Sequence, residues 1–289
     1  MEKRIDFRDQ ISKNKWKSYF LLAIMFLVFV LFGYVISFAF DPGFFFIIMI
    51  ISIIFSLSYI LFSYYNSSKI AIASVKAKKA SREHYKQYHD LVEGLTIASG
   101  IPMPELYVMH SPQINAFASG RNPENAVICV TTGLLEKLDK KEIEGVLAHE
   151  LGHVANFDIR YMTLATVMVG MIAIVSEMFL YSLWFRGGHN KNMVFILIGI
   201  AMAIIAPIVV KLIQLAISRK REFNADASAV KFTRYPQGLI GALIKIQRES
   251  YVEKRVSKAV APLFFSNPLK NLSGSHPPLE KRIEILQRM

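Results

Sequence analysis

The sequence predicts a mainly α membrane protein with four transmembrane helices and a small α+β domain, and three observations carry that reading. Hydrophobic residues make up 53% of the 289-residue chain, a share too high for a soluble enzyme of ordinary composition. Tyr19 to Phe40 and Phe44 to Tyr65 contain no charged residue, and each exceeds the roughly 20 helical residues that cross a bilayer core. Finally, His149-Glu150-Leu151-Gly152-His153 spaces two imidazoles four apart with a carboxylate between them, so both rings lie on one face of a helix.

The first hairpin occupies residues 19–65 and turns at Asp41-Pro42-Gly43. A second is expected within 161–217, from spans Tyr161 to Phe185 and Met193 to Val210, joined by a short loop from Arg186 to Asn192. Glu177 falls inside the third span, where a charge is costly in lipid, and is read as a polar contact within the helix bundle. Orientation follows from the basic residues beside the short loops. Lys3, Arg4, Arg8, Lys13, Lys15 and Lys17 precede the first span, and Lys69, Lys76, Lys78, Lys79 and Arg82 follow the second. Residues 1–18, 66–160 and 218–289 are therefore expected on the cytoplasmic side, in agreement with Arg219, Lys220 and Arg221; Arg186 and Lys191 weigh the other way. The first apolar run is too long, and too closely followed by a second, for a cleaved signal peptide.

The net charge of +12 needs no nucleic acid to explain it. Much of the excess lies beside spans, where anionic headgroups attract it, and no nucleic-acid motif accompanies it. Cys129 is the single cysteine, which excludes an internal disulfide; its strand-like surroundings mark a small buried hydrophobe.

Residues 66–92 read as a basic helix lying on or leaving the membrane surface. From Ile101 to Thr132 the mixture of β-formers with Pro, Gly and Asn predicts two or three short strands, with turns at Pro112 and Arg121-Asn122-Pro123. Gly133 to Leu138 is a short helix or turn. Asp139 and Glu142 form a capping box that starts a helix at Lys140. On that helix Ile143, Val146, Leu147, Leu151 and Val154 make one apolar arc, with His149 and His153 about 40° apart at its border. Glu150 falls inside the arc. An unpaired buried charge is costly, but beside a divalent metal a carboxylate there can take a proton from an attacking water. The spacing is that of a zinc protease, and a catalytic zinc takes three protein ligands, so a third is needed from elsewhere.

The sharpest source is Ser218 to Asp226, where Glu222 and Asp226 share a helix face. Either Glu222 binds the metal and Asp226 accepts the second N–H of a ligating histidine, or both are solvated charges paired with Arg219 and Arg221. His84, His89, His110 and His189 lack ligand spacing.

Taken together, His149-Glu150-x-x-His153, the apolar hairpin after it, Ser218-Arg219-x-Arg221-Glu222-x-x-Ala225-Asp226 and two preceding spans resemble the HtpX family of bacterial membrane zinc proteases over essentially the full chain. Asn115-Ala116-Phe117-Ala118-x-Gly120 resembles that family's strand beside the cleft, and Ser275-His276-Pro277-Pro278 its C-terminal motif. The resemblance implies a zincin-type domain, one zinc per chain on His149, His153 and Glu222, Glu150 as catalytic base and Asp226 as support behind a ligand. It implies a multi-pass protein of the bacterial inner membrane, with a cytoplasmic site that degrades damaged or misassembled membrane proteins under stress. Asn115, Ala116 and Phe117 become candidate substrate contacts by strand pairing, and His276 a candidate oxyanion contact. Three rivals use the same features differently. A CAAX prenyl endoprotease is disfavoured by the short chain and compact hairpin. An intramembrane protease is disfavoured by Lys137, Asp139, Lys140, Lys141, Glu142 and Glu144 just before the motif. A non-catalytic membrane scaffold or chaperone is disfavoured by the intact His149, Glu150, His153 and Glu222.

Overall fold

A computed structural model describes residues 7–37, 41–164, 199, 219–249, 263–265 and 277–289. Most of the second predicted hairpin, with Glu177 and His189, lies outside the described residues, as does His276.

Helices α1 (Phe7–Ser37) and α2 (Phe45–Ser74) form the first predicted hairpin. The Asp41 side chain accepts from the Gly43 N–H and fixes the turn. Phe29 packs on Phe55 and Tyr59 while Tyr34 meets Phe45, so the helices run antiparallel. Both are long and apolar enough to cross a membrane, over Asn14–Leu31 and Pro42–Ser74. The second window is only 6% buried, and Phe46, Ile47, Ile50, Ile51, Ile54 and Phe62 point outward. A soluble core helix would hide that surface, whereas hydrocarbon is its natural solvent.

The expected surface helix over 66–92 is corrected by the structure. The α2 helix continues to Ser74, and Lys76 then takes a left-handed conformation (φ 53°). Lys78–Lys79 pair as a short strand, β1, with Val108 and Tyr107. A separate helix, α3 (Lys86–Ser99), buries Tyr88, Leu91, Val92 and Leu95 in the domain core. Those four residues recur at i, i+3, i+4 and i+7, the stripe of a core-facing helix; its basic neighbours face outward.

Strands β2 (Glu105–Met109), β3 (Ala116–Gly120) and β4 (Ala126–Thr131) complete a four-stranded sheet in the order β1-β2-β4-β3. The β2 and β4 pair is parallel and the others antiparallel. β4 is buried throughout, Cys129 included, because it has neighbours on both edges. Thr131 caps the short α4 (Thr132–Lys137).

α5 (Lys140–Ala155) begins at the predicted capping box. Asp139 Oδ1 accepts from Lys141 N and Glu142 N at 2.8 and 2.9 Å, and Glu142 returns the bond to Asp139 N at 2.8 Å. Beyond its first turn α5 is buried on nearly every side, packed against β3, α3, α6 (Arg219–Thr233) and α7 (Pro236–Arg248). A last helix, α8 (Leu279–Leu286), packs on α6 and α7. Two glycines let α5 and α7 touch through their backbones. A Cβ on Gly145 would lie 2.5 Å from Leu239 N, and one on Gly238 2.3 Å from Lys141 O.

Gly145→Ala is therefore expected to force α5 and α7 apart and to destabilise the protein by about 1–3 kcal/mol. The readout is a lowered midpoint of thermal unfolding in detergent; an unchanged midpoint would show that the two helices do not depend on this contact.

Candidate metal centre

One turn of α5 presents His149 and His153 to each other, with Nε2 to Nε2 at 3.1 Å and ring planes nearly perpendicular. From α6, Glu222 places Oε2 3.7 Å from His149 Nε2 and Oε1 3.6 Å from His153 Nε2. The three ligand atoms lie within 4.8 Å of one another, and all three residues are buried.

The outer ring nitrogens decide what the inner ones can do. His149 Nδ1 is 2.8 Å from Asp226 Oδ1, and His153 Nδ1 is 3.1 Å from Asp158 Oδ2. Arg282 Nη2 also comes within 3.2 Å of His149 Nδ1; the shorter carboxylate contact assigns that nitrogen as a donor to Asp226. Each carboxylate thus fixes the proton on Nδ1 and leaves a lone pair on Nε2. Two lone pairs facing at 3.1 Å repel unless a cation lies between them, so the donor set fits a divalent metal with imidazole and carboxylate ligands.

Electrostatics agree with that arrangement. Burial, then the Arg282 guanidinium, hold His149 down to about 4, against the pull of Asp226. Burial also opposes charging of His153, but the Asp158 hydrogen bond and the Glu222 and Glu150 charges outweigh it and push that imidazole up to about 9. Asp226 is buried, which alone would raise its carboxyl; Arg282 and His149 hold it below its usual range. Arg282, wholly buried in α8, reaches Asp226 through two bonds of 2.6 and 2.9 Å.

Glu150 points from α5 toward β3. Burial, with some help from Glu222, pushes its carboxyl up to about 7, against His153 and a hydrogen bond from the Ala118 backbone. Its Oε1 is buried without a hydrogen-bond partner among the described residues, as suits a group that handles a proton rather than one locked into the fold.

The β3 candidates divide. Asn115 and Phe117 are buried; Asn115 Oδ1 accepts from Ala116 N, and Phe117 packs on Phe264 with ring centroids 5.0 Å apart. The Ala116 carbonyl faces away from β4 and accepts from Phe265 N at 2.7 Å. The Phe265 ring stands edge-on to His149 at 4.9 Å and under the Arg282 guanidinium at 4.8 Å. Sequence reasoning did not find Asp158, Arg282 or Phe265. Asp158 follows His153 by only five residues and was within reach of inspection. On α8, Arg282 falls at i+3 of the Leu279, Ile283 and Leu286 stripe, which sets it apart from the exposed Lys281.

Facing imidazoles and a buried carboxylate on one helix, with a second helix supplying another carboxylate, define a metallopeptidase of the His-Glu-x-x-His kind. The profile of peptidase family M48 matches residues 82–289. The protease HtpX homologue of Dictyoglomus thermophilum is 39% identical over 99% of this chain and 96% of its own length. The homologue of Streptococcus pneumoniae strain R6 is 35% identical over 97% of this chain and 99% of its own. Among solved structures, Ste24p of S. mikatae superposes with a TM-score of 0.52 at 22% identity, covering 96% of this chain and 66% of that one; the likeness is one of fold. The chain belongs to peptidase family M48 and is a membrane metalloprotease.

The pKa pattern makes metal uptake pH-dependent. His153 is protonated below about 9 in the metal-free protein and must lose that proton to become a ligand. Apparent affinity is therefore expected to rise about tenfold per pH unit between roughly pH 7.5 and 9, one proton being displaced, and to level above. Competition with a chelating dye measures it; an affinity flat over that range would refute the assignment.

Proposed function

We propose that the protein is a zinc endopeptidase of the cell membrane, with one zinc per chain held by His149, His153 and Glu222. The observation that carries this reading is the pair of facing Nε2 atoms, each with its Nδ1 committed to a buried carboxylate. Bound there, zinc would supply Lewis-acid polarisation of the scissile carbonyl and acidify a water molecule.

The chain's own groups do the rest. Glu150 takes a proton from the attacking water and delivers it to the leaving amine, a role suited to a carboxyl that titrates near 7. Asp226 keeps His149 in the ligating tautomer. The outward backbone of β3 receives the substrate as an extended strand beside Glu150, replacing the Phe265 N–H on Ala116. Asn115 and Phe117 then act by setting the course of that strand. His276 remains an oxyanion candidate on resemblance alone. Cys129 is no rival nucleophile: burial pushes its thiol up and leaves it protonated.

Membrane proteins are the proposed substrates, in quality control of damaged or misassembled chains, since α1 and α2 hold the domain against the bilayer. The basic flanks support a cytoplasmic site, and the two long apolar runs after the metal helix, of which the first holds a single charge at Glu177, support a four-span chain. A prenyl-peptide substrate is the alternative, since the same candidate zinc triad would serve it.

Glu150→Gln is expected to keep its zinc and lose 10²- to 10⁴-fold in turnover of a membrane-protein substrate, whereas Glu222→Ala loses zinc and activity together. Cleavage by Glu150→Gln at the wild-type rate would refute the mechanism. For topology, a cysteine placed at Gly188 in a Cys129→Ser background is expected to react with an impermeant thiol reagent from outside intact cells. Labelling only after permeabilisation would leave a two-span enzyme.

A further inference from the structure

Asn14 lies at the start of the apolar window of α1, yet it is 3% exposed and turned toward the metal domain rather than lipid. Its single amide nitrogen donates twice, to Asn156 O at 2.9 Å and to Asp158 Oδ1 at 2.8 Å. An inverted amide would set its oxygen against two acceptors, so the orientation follows from the network. The other oxygen of Asp158 accepts from His153 Nδ1 at 3.1 Å. One carboxylate is thereby shared between a membrane helix and a candidate ligand's imidazole, across 144 residues of sequence.

The surroundings hold this junction rigid. The base of α1 docks on the turn after α5, with Lys15 Nζ 4.5 Å above the Phe157 ring and the Arg160 guanidinium 6.0 Å from that of Tyr19. Phe157 takes a left-handed conformation (φ 58°) that a bulky residue adopts only when its surroundings impose it. The Arg221 guanidinium stands 3.9 Å from Asp158 Oδ1, too far for a hydrogen bond.

The two imidazoles are supported from opposite sides. His149 leans on Asp226, which Arg282 of α8 grips. His153 leans on Asp158, which Asn14 of α1 grips. We propose that Asn14 is a positioning residue of the metal centre: acting through Asp158, it sets the His153 ring, and it makes the membrane helix part of what holds the metal. The proposal rests on His153 being a ligand. Simple docking of α1 would be served by the Asn156 carbonyl alone; the bond to Asp158 is what joins the helix to the site.

The test uses the full chain in detergent, with zinc affinity from competition with a chelating dye and the visible spectrum of the cobalt-substituted protein as a report on ligand geometry. Asn14→Ala and Asn14→Leu are expected to lower zinc affinity about tenfold or more, within the 10- to 100-fold range for groups behind a ligand, and to alter the cobalt bands. Met25→Ala, at a buried position of the same helix, is expected to lower thermal stability while leaving both readouts unchanged. In an Asp158→Ala background Asn14→Ala is expected to add nothing further, since coupled residues do not act additively. Wild-type affinity and spectrum in Asn14→Ala and Asn14→Leu, an equal loss in Met25→Ala, or an undiminished effect of Asn14→Ala without Asp158 would each overturn the proposal. Failure of the wild-type chain to bind one zinc would instead overturn the reading on which it rests.

Discussion

Two imidazole lone pairs held face to face at 3.1 Å are the constraint on which the structure depends. Left free, either ring would rotate out of the repulsion. Rotation is prevented by a buried carboxylate on the far side of each ring, and each carboxylate is anchored in turn by a group from another part of the chain. A helix supplies the spacing of the rings without help, because four residues bring a side chain back to the same face. Their orientation has no local source. It must be imported from α6, α8, α1 and the turn after α5, which is why the domain converges on this one helix and buries it.

That burial explains the other features of α5. A helix enclosed on nearly every side can approach its neighbours closely only where side chains are absent, and Gly145 and Gly238 let α5 and α7 meet at backbone distance. Its exposed first turn has no helical partner for its N–H groups, and Asp139 of the capping box accepts from two of them, those of Lys141 and Glu142. Glu150 sits on the buried side toward β3, where low polarity keeps its carboxyl up at about 7, a condition no exposed glutamate would meet.

What was legible in the sequence was local. The capping box, the apolar arc of α5, two or three short strands with their turns and the first membrane hairpin all follow from residues within one or two turns or strands of each other. The candidate ligand on α6 was legible as one of two readings, because Glu222 and Asp226 at i and i+4 fit a metal site and an ordinary ion-paired face equally well. Geometry supports the first: Asp226 meets His149, 77 residues away. Over 66–92 the lysines suggest a surface helix, whereas the Tyr88, Leu91, Val92 and Leu95 stripe marks a core-facing one, and the burial of that stripe decides. Arg282 and Asn14 were beyond local reasoning. The stripe of α8 can turn Arg282 inward but cannot name its partner, an asparagine at the mouth of a membrane helix carries no periodic signal, and the two partners lie 56 and 144 residues away.

Charge balance ties these contacts together. With both imidazoles neutral, the buried carboxylates Glu150, Asp158, Glu222 and Asp226 outnumber the guanidinia of Arg221 and Arg282 among the described residues around them. That excess of negative charge lies in a medium where buried charge is strongly disfavoured. In the absence of metal the cheapest remedy is to bind two protons, and the two groups pushed upward are His153, to about 9, and Glu150, to about 7. One dication replaces both protons at once. Bound there, it would leave His153 with a free lone pair and Glu150 as a carboxylate, the protonation states that the proposed ligation and general-base roles would need. The two upward shifts have different principal causes, burial for Glu150 and the surrounding carboxylates for His153, and they meet at the same pair of facing imidazoles.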